Sequence, residues 1–138
     1  MTAPYLVDTN IISELARKTP DTRVLNFMTS TANILVSSLL FHELTFGLAI
    51  TNPEQARKLL LFVTAMRERF GARAIAVDVP IAETAGIFRA SEKQQGRVLT
   101  VSDALIAATA SVHGAVLVTR NIKDFRTLGV PVLNPFSG

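Results

Sequence analysis

A chain of 138 residues with 14 Lys and Arg against 11 Asp and Glu is long enough to bury a real core and too short for two, so it reads as one domain over 1–138. The absence of cysteine excludes disulfides, thiolate zinc centres and cysteine nucleophiles. No run reaches the ~18 uncharged apolar residues of a bilayer crossing, and Met1-Thr2-Ala3-Pro4 has neither region of a signal peptide, so a soluble cytoplasmic protein is expected, and its net charge of +3 favours an anionic partner.

In chain order, residues 4–8 read as a strand and 9–17 as a short helix closed by Arg17-Lys18, charges that suit a helix C-terminus. Asp21 caps a second helix through about Thr29, and "NILVS" at 33–37 is a second strand. Ser38 opens a helix through Ile50, and Pro53-Glu54 has the Pro-plus-acid signature of another, running to Phe70 before Gly71. "AIAVDV" at 74–79 reads as a third strand, followed by a helix from Pro80 to Gln95. "GRVLT" is a connection, Ser102 caps a helix through His113, and Gly114 ends it. "AVLVT" at 115–119 is a fourth strand, and 130–133 a short last one. Alternating strands and helices predict an α/β fold with a central, mainly parallel sheet of four to five strands and helices on both faces. The helix over 54–70 carries Leu59, Leu60, Leu61, Phe62, Val63, Ala65 and Met66 on nearly every side, which predicts contact with another chain.

Asp8, in "LVDTNIISEL", follows the first strand, where Asp, Thr and Asn are all good N-caps. The same place, the carboxyl end of a strand in an open α/β sheet, is where reacting groups collect. Glu43 lies on an apolar stripe, one helical turn from Leu39, Leu40, Phe46 and Gly47, and no Lys or Arg occurs between Lys18 and Arg57 to neutralise it. Its neighbour His42 points about 100° away, and "HELTF" lacks the second histidine of the zinc motif His-Glu-x-x-His, so His42 reads as structural. Asp103 stands in a first helical turn, a position the helix dipole favours by itself. Asp124, in "VTRNIKDF", falls just beyond the fourth strand, three residues after Asn121. Strand ends and helix starts of a parallel sheet share one edge. Carboxylates gathered there repel one another unless a hard divalent cation relieves them, and Mg²⁺ or Mn²⁺ held by oxygen ligands can activate water against a phosphodiester.

The order "VDTN", "SSLLFHEL", "SDALIAATA", "LVTRNIKDF" resembles the PIN-domain ribonucleases, in particular the VapC and FitB-like toxins of bacterial toxin–antitoxin pairs, from Tyr5 to "VLNPF". The resemblance implies a three-layer α/β/α sandwich, a homodimer and Mg²⁺- or Mn²⁺-dependent RNA cleavage leaving 5′-phosphate and 3′-hydroxyl ends. It also implies silencing by a cognate VapB- or FitA-like antitoxin, in a complex able to bind operator DNA. Carried over residue by residue, Asp8, Glu43 and Asp103 are the metal ligands. The fourth acidic role goes to Asp124, because this chain has Asn121 where many relatives have an aspartate directly after "TR". Thr9, Asn10 and Thr119 are expected to orient the carboxylates, Arg120 to meet phosphate, and Asn121 to act as a neutral ligand or support.

Two other readings compete. A phospho-acceptor aspartate after the first strand fits Asp8, but the haloacid-dehalogenase pattern wants a second aspartate where Asn10 stands, and it leaves Glu43 unexplained. A degenerate PIN domain acting as a binding or assembly module is favoured by Asn121.

Overall fold

The computed structural model describes residues 2–137; Met1, at the start of the segment read as lacking a signal peptide, and Gly138 lie outside the described residues. In chain order the elements are β1 (Tyr5–Val7), α1 (Thr9–Leu15), α2 (Thr22–Ser30), β2 (Ile34–Leu35), α3 (Leu39–Ile50), α4 (Pro53–Phe70), a 3₁₀ turn (Gly71–Arg73), α5 (Val79–Gln94), α6 (Val101–Val112), β3 (Val116–Val118), α7 (Ile122–Phe125) and β4 (Val132–Leu133). The sheet order is β2-β1-β3-β4 and every pair is parallel. β1 is central, with Leu6 registered against Leu35 on one side and Leu117 on the other.

The period of two along these strands builds the layers. Val7 and Val118 face one way, into a cluster with Ile11 and Ile12 of α1, Val24 and Met28 of α2, Leu40 and Leu44 of α3, and Met66 and Phe70 of α4. Leu6 and Leu117 face the other way, against Ile106, Ala107 and Ala110 of α6 and Phe125 of α7. The alanines of α6 also admit α5, whose Ile81 and Ala85 pack with Ala104 and Ala108. The result is α/β/α. Burying such an aliphatic side chain contributes about 1.5–3 kcal/mol.

Several expectations are corrected. Residues 74–79 are not a strand: Ile75 makes one isolated parallel bridge to Ser37, and Asp78 then turns to cap α5 by accepting Ile81 N–H at 3.1 Å. The apolar alternation there has no partner strand to bury it, and Val77 and Val79 are exposed. Thr100, not Ser102, caps α6, accepting Asp103 N–H at 3.1 Å. The first helix ends at Leu15, which leaves Arg17 and Lys18 beyond it. α4 buries only Met66 and Phe70; Phe62 and Val63 pack at the edge of the core, while Leu60 and Leu61 stand exposed. Among the described residues, no helix is long and apolar enough to cross a membrane.

Candidate active site

Asp8 sits where β1 becomes α1, and it caps that helix as the sequence suggested. As the N-cap, its Oδ1 accepts Thr9 N–H at 2.7 Å. Its own N–H donates to Val118 O at 2.9 Å, so the ladder between β1 and β3 fixes the backbone that carries the carboxylate. Oδ2 accepts from Thr119 Oγ1 at 2.9 Å and from Asn10 Nδ2 at 3.3 Å. Thr119 is fully buried, and its hydroxyl also accepts Asn121 N–H at 3.1 Å. Asn10 Oδ1 accepts Arg120 N–H at 3.3 Å, tying the two strand ends together. Thr9, Asn10 and Thr119 therefore surround the aspartate.

Glu43 comes from the second turn of α3 and Asp103 from the first turn of α6. Burial pushes all three carboxyls above their ordinary values. At Asp8 the hydrogen bonds from Thr119 and Thr9 oppose that rise, while Asp103 adds to it. At Glu43 the next largest cause after burial is the charge of Asp8, with Thr9 and His42 acting in the opposite sense. At Asp103, Thr100 opposes the rise and Asp124 adds to it. The acids thus feel one another across a common space. None of the four is in an ion pair among the described residues, where the three pairs are Arg17–Glu14, Arg23–Asp21 and Arg97–Glu92.

That space is a cleft of about 710 Å³ shared by Asp8, Glu43, Asp103, Arg120 and Asn121. Arg120 is propped over the Phe136 ring, 4.5 Å from its centroid, which steadies a guanidinium at the rim. Asp124 is exposed on α7 and does not line the cleft; it reaches the site through its charge on Asp103.

Sequence reasoning missed Glu14, Arg17 and His42, which also line the cleft. Glu14 is buried, accepts Asp21 N–H at 2.9 Å and pairs with Arg17 at 3.3 Å. Its signal was present: an acid between Ile11, Ile12 and Leu15 on the inner face of α1 is the same anomaly that singled out Glu43. His42 was read as pointing away, yet it borders the cleft and favours the charged form of Glu43.

The donors suit a hard cation. Three carboxylates face one cleft, and Thr9 Oγ1 is buried with no hydrogen-bond partner among the described residues, although it lies near enough to Glu43 to favour its charged form. Among the described residues no three His, Asp or Glu side chains stand close enough together to hold an ion as a group. Mg²⁺ does not need that, because it commonly takes one or two carboxylates and keeps several waters.

Known proteins share this architecture over nearly their whole length. The chain is 29% identical to VapC ribonuclease Y4jK of Sinorhizobium fredii, over 95% of this chain and 96% of that protein. It is 30% identical to toxin FitB of Neisseria gonorrhoeae, over 95% and 97%. The crystal structure of VapBC2 from Rickettsia felis bound to a DNA fragment from their promoter contains a chain that superposes with a TM-score of 0.82 at 26% identity, covering 94% of this chain and 97% of that one. Residues 5–130 match the model of the PIN domain, and the chain belongs to the PIN-domain family.

Proposed function

We propose that this protein is the toxin of a toxin–antitoxin pair, a divalent-metal-dependent endoribonuclease that hydrolyses RNA phosphodiesters in the cytoplasm and is inhibited by a cognate VapB- or FitA-like antitoxin. The observation that carries the reading is the meeting of Asp8, Glu43 and Asp103, from three distant segments, in one cleft without a paired cation. Full-length kinship to proteins named ribonuclease and toxin supports it.

Asp8, Glu43 and Asp103 would hold Mg²⁺ or Mn²⁺, which when bound offsets their mutual repulsion and supplies Lewis-acid chemistry at a phosphodiester. The chain's own groups do the rest. Thr119 and the Thr9 N–H orient the Asp8 carboxylate and favour its charged form against the burial that opposes it. Arg120, fixed against Phe136, and Arg17 face the substrate's phosphate oxygens from the cleft wall. Asn121 gives the wall a neutral polar group, and Asp124 tunes Asp103 from outside. The exposed Leu60 and Leu61 of α4 offer a seat for another chain, a second copy in a homodimer or the antitoxin, and the assembly with antitoxin binds operator DNA.

The test is cleavage of pooled tRNA and rRNA by antitoxin-free protein, with Mn²⁺ or Mg²⁺ against EDTA and Asp8→Asn in parallel. Discrete metal-dependent fragments that vanish in the variant are expected, with a loss exceeding the ~10–100-fold typical of outer-sphere partners. Full activity in Asp8→Asn would sink the assignment. The position of Asp124 outside the cleft favours one second reading, a PIN domain retained as a binding module. Such a protein would show no thermal shift with Mn²⁺.

A further inference from the structure

A second cleft, of about 530 Å³, runs between α1 and α4 and is lined by Arg17, Lys18, Gln55, Lys58, Leu59 and Phe62 among others. It shares Ser13 and Arg17 with the carboxylate cleft, so the two adjoin there. Its charge is opposite. No acid lines it, and neither Lys18 nor Lys58 is in an ion pair among the described residues. Arg17 stands at the junction. Buried Glu14 holds one edge of its guanidinium at 3.3 Å, while the side chain remains 66% exposed. Arg120 adds a second cation to the lining of the carboxylate cleft.

A polyanion lying along the acids therefore meets Arg17 and Arg120 in the same cleft, and toward α1 and α4 it meets a basic track with an apolar wall. Cations along a groove beside aromatic and aliphatic surface are what a single nucleic-acid strand requires: phosphates for the cations, base faces for the apolar wall. We propose that the α1–α4 groove is a substrate subsite that seats the single-stranded RNA adjoining the scissile phosphate, with Arg17, Lys18 and Lys58 on successive phosphates and Leu59 and Phe62 beneath a base. This rests on the nuclease reading above and adds a polarity to the site, with binding on the α1–α4 side and chemistry at the acids. Glu14 is then a positioning residue, setting Arg17 at the entrance.

The experiment uses Lys18→Ala/Lys58→Ala, two exposed side chains outside the carboxylate cleft, in the otherwise intact protein. Binding of a labelled mixed-sequence 12-nucleotide RNA is measured across a salt series in the Asp8→Asn background, and cleavage of the same RNA with Asp8 intact. Each phosphate contact on single strands contributes a slope of about −0.7 in log K against log[salt], so losing two flattens the slope by ~1.4 and weakens binding about 25-fold at 0.1 M relative to 1 M salt. KM for the 12-mer should rise by a similar factor while kcat holds, and Lys18→Arg/Lys58→Arg should restore both. An unchanged slope and KM in an RNA-cleaving protein would overturn the subsite alone. Unchanged RNA behaviour with weakened antitoxin inhibition would also overturn it, assigning the groove to the antitoxin. Failure of the unsubstituted protein to bind or cleave RNA would remove the nuclease reading and the subsite together.

Discussion

Replacing Thr119 by valine tests how the aspartate is held. The substitution preserves shape and removes one hydroxyl, which donates to Asp8 Oδ2 at 2.9 Å and accepts Asn121 N–H at 3.1 Å. Thr119 is completely buried, so water has no route to replace those bonds. A hydrogen bond to a charged group contributes about 1.5–3 kcal/mol and a neutral one about 1, which gives a loss of roughly 2–4 kcal/mol for the valine variant. Thr119→Ser is the control: it keeps the hydroxyl and loses a methyl, at a cost near 1 kcal/mol. Urea unfolding in EDTA reads both, and with an m-value of about 2 kcal/mol/M the valine midpoint should fall by about 1–2 M. The link to function is a second readout. Without that donor the Asp8 carboxyl rises further, so Mn²⁺ binding should shift to higher pH in the valine variant and stay in place in the serine one. A valine variant no less stable than the serine variant would refute the hydroxyl's role.

Burial raises Asp8, Glu43 and Asp103 above the ordinary values of 3.8 and 4.5, so just above those values the native state holds more protons than the unfolded chain. Unfolding free energy then falls as pH rises through that window, and metal-free protein should melt lower at pH 7 than at pH 5, with Mn²⁺ reversing the loss; level melts in EDTA would count against the clustering of acids. Phe125 is 1% exposed and anchors α7 to the second core face, so Phe125→Ala should cost about 3–5 kcal/mol by chemical denaturation. A cost below about 1.5 kcal/mol would show that the face collapses around the gap. Gly114 follows α6 at φ 61°, open around a notional Cβ, so Gly114→Ala should lose about 1–2 kcal/mol from backbone strain alone. An unchanged midpoint there would argue that the turn relaxes.

The sequence made the element order and the main acids readable, because both are carried by local pattern. "YLVD" ends a strand on an acid whatever surrounds it, and Glu43 is conspicuous because it interrupts an apolar helix stripe. What failed depended on partners far along the chain. Residues 74–79 have strand-like alternation, but a strand exists only where a neighbour offers an edge, and here only Ser37 does. Thr100 and Ser102 are equivalent caps on paper; in the fold Thr100 takes the role, which moves Asp103 from the first to the third residue of the first turn. Arg17 read as a helix-end charge, and only the tertiary fold makes it part of the lining of two clefts. His42 misled because an angle on an isolated helical wheel ignores how widely a cleft opens.

The central place of β1 has a consequence for the order in which the molecule is made. A chain synthesised from its N-terminus produces β1 among its first residues and β3 only at Val116–Val118, yet the two strands are neighbours in register. Until then one edge of β1 is bare, Asp8 N–H lacks the Val118 carbonyl, and Oδ2 lacks the Thr119 hydroxyl 111 residues away. A growing chain of this topology holds its acids without the scaffold that aims them, and a fragment stopped before β3 never acquires it. Assembly of the carboxylate cleft is thereby tied to synthesis of the chain through Thr119, a dependence that resides in strand order.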